Sequence, residues 1–302
     1  GAIAGAAEDE VSGSVAIGKS ALAAVTTGAK NIAIGKSAMV SATLSTNSIA
    51  IGYEAMDAMV GDDATNAGTH NIAIGTDAMG SANGGTHVDS AIDSNICIGT
   101  NAGLGGDFSG NSRLVSNNVV IGYNAMDGAG AYNSWNNIYI GSDAGGGSYG
   151  GGDNYENVGI GHGVMLGAQN GCRGNTAMGN LAGANLTSAN HNTLLGDNAG
   201  NDITTANKTV FIGTNAGDAV TTTGGSNVSD GTVGIGYDAL GALTSGAGNM
   251  ATGYQAMLEH TTGGLNTCYG YQTMYSTNAG SNSLGSQRNT FMGYQSGSGQ
   301  WG

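Results

Sequence analysis

The 302-residue chain has no proline, three cysteines, seven lysines and arginines together, and only 9% charged residues. Each shortage excludes something. Seven cations against twenty-one acidic residues leave a formal net charge of −14; phosphate contacts need Lys and Arg, so no nucleic-acid partner is expected, and docking on anionic lipid is disfavoured. No run of 18 apolar residues occurs, so no membrane insertion is expected, and no signal peptide is visible. The chain opens at Gly1 and neither end carries the polar cap that solenoids use, which suggests a processed chain or a segment of something longer.

Chemistry is sparse as well. The histidines at 70, 87, 162, 191 and 260 are scattered, and none has metal-ligand spacing with Cys or another His. Asp62-Asp63 sits in a polar stretch without apolar neighbours to raise a pKa. Gly151-Gly152-Asp153-Asn154 faintly resembles a calcium-binding glycine-aspartate turn but lacks the nonapeptide period. No nucleophile, base and orienting acid can be singled out, so the expectation is a non-enzyme with no cofactor and no metal.

What the chain does have is a repeat. Asn31-Ile32-Ala33-Ile34-Gly35-Lys36-Ser37-Ala38 recurs with variations around fifteen anchor glycines, from Gly18 to Gly293, at intervals of 17 to 24 residues. Four residues before the anchor stands Asn in eleven copies, with Ser14, Ser48, Thr209 and Thr232 in the rest; three after it stands Ala in twelve. Isoleucine mostly precedes the glycine. This spacing is the signature of a solenoid in which each repeat is one coil. The run before each glycine reads as a strand of about 3 to 5 residues, and stacked strands would make a rod of fifteen coils roughly 70 Å long. The fold class expected is all-β: a parallel β-solenoid or β-roll of about fifteen short coils. It forms one repeat domain over 1–302, with longer loops in 80–155.

Side chains alternate along a strand, and the larger first and third residues, such as Ile32 and Ile34, are expected inside the coil. The middle residue then faces outward. That column includes Ala33, Ala73, Cys97, Val120, Leu194, Phe211, Cys268 and Phe291, with no charged side chain in any copy. A strand apolar on both faces is buried on both, so these residues are candidates for a subunit interface in a homotrimeric rod; a helix or loop of the same chain is the other possible cover. Cys97 and Cys268 lie nine coils apart, roughly 43 Å along such a stack, too far for a disulfide, and read as small buried hydrophobes; Cys172 falls in a loop. Met after the Ala column, as at Met39 and Met56, is expected to fill gaps between coils or chains.

Aromatic and basic residues gather where the intervals are longest: Phe108, Arg113, Tyr132, Trp135, Tyr149 and Tyr155. Such residues on variable loops are candidates for contact with a receptor, although rings that merely cover the coil beneath would look the same. Tyr follows the anchor glycine in six copies, at 53, 123, 237, 254, 271 and 294, as a binding face or one edge of packed rings.

The motif Asn-x-[Ala/Val]-Ile-Gly-x-x-Ala, as in 31–38, 71–78 and 118–125, resembles the repeats of trimeric autotransporter adhesin heads and of bacteriophage tail-fibre proteins, over residues 14–297. In the adhesin heads the resemblance implies a left-handed parallel β-roll packed as a homotrimer. The coils here are longer than the adhesin repeat, and the Gly-Tyr-x-Ala-Met and Gly-x-x-Ala-Gly variants look more like phage fibres. Heptads for a stalk and an outer-membrane anchor are absent from the sequence. The resemblance therefore implies a structural and adhesive tail fibre, extracellular on a virion surface, whose partners are itself and a host cell-surface glycan or protein. A bacterial surface adhesin head, a purely structural spacer filament and an ice-binding solenoid are the other readings; the last needs a flat Thr array, and the Thr pairs at 26–27, 204–205 and 261–262 recur irregularly.

Overall fold

A computed structural model describes residues 12–59, 68–81, 91–103, 114–128, 132–220, 229–276 and 286–299. Among them the protein is an all-β parallel β-solenoid of about twelve turns with no helix, somewhat fewer than the fifteen coils expected. A strand precedes every anchor glycine, but the return segments of several coils fall outside the described residues. The chain divides into two compact units, Gly1–Asn157 and Val158–Gly302.

In the first unit seven strands pair in chain order, parallel and in register: Val15–Ile17, Ile32–Ile34, Ile49–Ile51, Ile72–Ile74, Ile96–Ile98, Val119–Ile121 and Ile138–Ile140. A second parallel sheet forms just upstream in four of its coils, from Ala91–Asp93, Leu114–Ser116, Ser134–Trp135 and Asn154–Tyr155. The second unit repeats the first arrangement with eight strands: Val158–Ile160, Thr176–Met178, Thr193–Leu195, Val210–Ile212, Val233–Ile235, Met250–Thr252, Thr267–Tyr269 and Thr290–Met292.

Three left-handed corners per coil turn the chain. In the second coil they are Lys30, Ser37 and Met39, with φ of 59°, 60° and 52°. A non-glycine residue there costs roughly 1–2 kcal/mol, and hydrogen bonds between coils offset that cost, such as Ser37 N–H to Lys19 O at 2.8 Å and Met39 N–H to Ala55 O at 2.9 Å. The anchor glycine is a stricter demand. At Gly270 φ is +140° and an added Cβ would stand 2.6 Å from the carbonyl oxygen of Gly293 in the next coil. Coils can stack this closely only where no side chain intervenes.

The interior corrects the expected sidedness. The middle residue of each strand points into the coil: Ala33, Ala73, Val120, Leu194, Phe211 and Cys268 are 0% exposed and Cys97 3%. The first and third residues point out and are half-exposed, as at Ile32, Ile34, Ile72 and Ile74. Inside so narrow a coil the strand-centre side chain lies against the residue that follows the repeat's Ala. Bulk at the strand centre therefore trades against bulk at the corner. Ala33, Ala50 and Ala73 sit in coils with buried Met39, Met56 and Met79. Where the strand centre is large the corner is glycine: a Cβ on Gly145 would lie 2.8 Å from the Tyr139 ring, and one on Gly217 2.6 Å from the Phe211 ring. The methionine column thus fills the coil's own core and does not face a neighbouring chain.

The Asn column is also inside. Asn118 is 1% exposed; its N–H and Nδ2 donate to Asn95 Oδ1 at 3.1 and 3.0 Å, and Nδ2 also donates to Ser134 O at 2.9 Å. Its Oδ1 accepts from Asn137 N–H and Nδ2 at 3.0 and 3.1 Å. The amides form a ladder along the stack, with rungs such as Asn31, Asn118 and Asn192 also donating to a backbone carbonyl, which satisfies polar groups that would be costly to bury alone. Thr209 continues the ladder with its N–H and Oγ1 on Asn192 Oδ1.

Candidate contact surfaces

Because the middle column is interior, the interface candidates Ala33, Ala73, Cys97, Val120, Leu194, Phe211 and Cys268 are covered by their own chain, and Phe291 is half-buried. The first seven have no surface to offer a subunit. The outward columns take that place. In the first unit they are Val or Ile at every strand position; in the second they mix Val, Ile, Leu and Met with Thr176, Thr193, Thr252, Thr267, Thr290 and Tyr269, and no charge appears in either unit. Side chains on this face reach 57% exposure at Ile17 in the first unit and 70% at Met292 in the second. In the first unit this is a charge-free apolar strip on an open sheet, which marks an interaction surface.

Of the six receptor candidates, Trp135 and Tyr155 come together: paired in register on the second sheet, their rings stack with centroids 4.4 Å apart and planes 6° apart. Both are half-buried, as is Tyr132. Tyr149 is only 4% exposed and is part of the core, so it cannot meet a receptor. Phe108 and Arg113 lie outside the described residues.

The tyrosines after the anchor glycine form a ladder in the second unit. Tyr237, Tyr254, Tyr271 and Tyr294 stack at centroid distances of 5.1–5.4 Å, with planes within 13°, and each exposes more than 40% of its surface. Beside them Gln295 and Gln272 donate in turn to Gln272 and Gln255 at 3.0 and 2.9 Å. In the first unit Lys36 Nζ lies 5.0 Å from the centroid of the Tyr53 ring.

A carboxylate pairing recurs three times and was not apparent from the linear sequence. Asp57, Asp127 and Asp218 each stand five residues after an anchor glycine, beside a glycine of the next coil; their Oδ1 atoms lie 3.4, 3.0 and 3.6 Å from where a Cβ of Gly80, Gly146 or Gly241 would be. That next coil also carries Asp77, Asp143 or Asp238. Desolvation first, then the charges of Glu54 and Asp77, raises the Asp57 carboxyl to about 6. Desolvation and then Asp238 raise Asp218 to about 6, and Asp127 is raised by desolvation and Asp143. A carboxyl raised in the folded state contributes stability that is complete below its unfolded value and lost as pH rises through the folded value. The melting temperature should therefore climb as pH falls from 7 towards 4.5, and Asp57→Asn with Asp218→Asn should flatten that climb; an equal slope in the double variant would show that other groups are responsible.

The three cysteines are buried thiols outside any disulfide, with burial pushing each up to about 12, so they pack as small hydrophobes rather than react. Cys172, read as a loop residue, is fully buried and donates to Thr187 O at 3.3 Å. Among the described residues no group of three or more His, Cys, Asp or Glu is placed to hold a metal ion, and no helix is long and apolar enough to cross a membrane. In the glycine-aspartate turn, Asp153 Oδ1 accepts from Asn133 Nδ2 at 2.8 Å.

The fold and these surfaces define a parallel β-solenoid with one apolar sheet face. No protein-family model, curated protein or solved structure matches the chain.

Proposed function

We propose that the protein is a structural and adhesive fibre subunit that works as a homotrimer on the outside of a virion, as a tail fibre contacting a host-surface glycan or protein. One observation carries the reading: in the first unit the outward columns present an uninterrupted, charge-free strip of Val and Ile that a lone chain leaves half-exposed. Three copies around one axis would cover that strip on every chain, and self-association is what a repeat presenting the same side chains at each step favours. The resemblance of the repeats to phage fibres and adhesin heads supports the same assembly, and the stacked Trp135–Tyr155 pair, with Tyr132, supplies an aromatic contact edge of the kind that carries binding energy.

Sedimentation equilibrium at micromolar concentration should give about three times the 29.5 kDa chain mass. Ile74→Asp with Ile121→Asp should yield a folded monomer, because two charges per chain would have to be desolvated in the assembly. A monomeric parent protein would remove the reading. On a glycan array and on host cells, Trp135→Ala with Tyr132→Ala should lose binding while remaining trimeric; a trimer that binds no surface at all would be a spacer.

A further inference from the structure

The second unit, Val158–Gly302, sorts its charges by edge. Its three basic residues, Arg173, Lys208 and Arg288, all stand five or six residues before an anchor glycine. Of its six acidic residues, only Asp230 shares that edge; Asp197, Asp202, Asp218, Asp238 and Glu259 follow their glycines. The segments bearing the cations are stacked in register by backbone hydrogen bonds: His191 N–H to Arg173 O and Lys208 N–H to Asn190 O at 3.0 Å, Gly231 N–H to Asn207 O at 3.1 Å, Gly248 N–H to Asp230 O and Leu265 N–H to Ala247 O at 3.0 Å, and Arg288 N–H to Gly264 O at 3.3 Å. A linear edge seven coils long results.

Two hollows open along it. One, of about 340 Å³, is lined by Arg173, Asn190, His191, Asn207, Lys208 and Asp230. The other, of about 410 Å³, lies over the coils that follow and is lined by glycine backbone, Thr262, Leu265 and Gln287 among others. The first is a built surface. Asn207 Oδ1 accepts from Asn190 N–H at 2.8 Å, Asn190 Oδ1 from Arg173 N–H at 3.0 Å, and Asp230 Oδ1 from Asn207 N–H at 2.7 Å. The imidazole of His191 lies over Gly174, where a Cβ would be 2.6 Å from Nδ1. Arg173, His191 and Lys208 are exposed on consecutive coils above this fixed floor.

We infer that this edge binds an acidic polysaccharide, with a sugar carboxylate held by Arg173, His191 and Lys208 and the chain continuing over the glycine-lined hollow. A cationic site in a protein of charge −14 is a local reversal of field that concentrates anions, and guanidinium and ammonium groups are matched to a carboxylate. The rest of the lining offers amides, hydroxyls, bare backbone and one carboxylate, Asp230, whose Oδ1 accepts from Asn207 N–H; all of these suit sugar hydroxyls. Nucleic acid fits poorly: a strand carries a phosphate about every 3.4 Å, whereas Arg173 and Lys208 are two coils apart and Lys208 and Arg288 four, roughly 10 and 19 Å. The inference needs neither the trimer nor the aromatic edge of the first unit, so a monomer that binds acidic sugar would leave it standing.

Isothermal titration of the full chain with a hexagalacturonate should show saturable binding, and the methyl-esterified hexamer, with its charges removed, should bind at least tenfold more weakly. Arg173→Ala with Lys208→Ala, both at exposed positions, should weaken the acid form at least tenfold with an unchanged melting temperature, while Lys19→Ala in the first unit should bind as the parent does. Equal affinity for the ester, no loss in the double variant, no binding at millimolar sugar, or tighter binding of a single-stranded oligonucleotide would each overturn the inference.

Discussion

Gly217→Met should destabilise the second unit by about 3 kcal/mol or more, and Phe211→Ala by about 3–5 kcal/mol, yet the double variant should recover most of both losses. The strand-centre Phe211 fills the coil so completely that any side chain at 217 would meet its ring. Backbone strain is not the cause, because the equivalent corner holds Leu or Met at the same left-handed φ in nine other coils, among them Met39, Met165 and Leu240. Removing the ring alone leaves a void; adding methionine alone overfills the coil. Together they recreate the Ala33–Met39 pairing that this protein already uses. Chemical unfolding of the four proteins closes a double-mutant cycle. A coupling below about 1 kcal/mol would show that the two positions do not share one space.

The second large effect concerns the buried amides. Asn118→Leu keeps the size of the side chain and removes its polarity, leaving Ser134 O and Asn137 N–H without the partners they have at 2.9 and 3.0 Å. At about 1–3 kcal/mol for each stranded buried group, the loss should be about 3–5 kcal/mol. Amide exchange should accelerate first in the coils on either side. Asn118→Thr should cost about half as much, since Thr209 already serves as a rung through its hydroxyl. Equal losses for Leu and Thr would mean that shape rather than hydrogen bonding is what the column selects.

Much of the architecture was legible because each position is repeated. Aligning on glycine located the strands: Ile32–Ile34, Val119–Ile121 and Val210–Ile212 are the three-residue runs that the repeat marks out. Which side of the strand faces inward was not legible from hydrophobicity, since Ile-Ala-Ile is apolar on both faces, and placing the larger residues inside inverted the coil. Size held the missing signal. Tyr139 and Phe211 are followed six residues later by Gly145 and Gly217, whereas Ala33 and Gly159 are followed by Met39 and Met165, and only side chains that share one cavity would trade volume in that way.

The surface was less legible. Trp135 and Tyr155 are twenty residues apart and are brought together by the equal offset of each from its own glycine. Tyr149 looked identical in composition but turns into the core. The members of each carboxylate pair and of the cationic edge stand 16 residues or more apart in the chain and come together only across stacked coils, so charge patterning emerges only once the coils are superposed.

The row of Tyr237, Tyr254, Tyr271 and Tyr294 has a further consequence. Four parallel rings 5.1–5.4 Å apart are close enough for their electronic transitions to mix. Separation of any two coils in that region would alter the near-ultraviolet dichroism of the whole row, so the protein carries an optical gauge of its own unwinding and needs no attached dye.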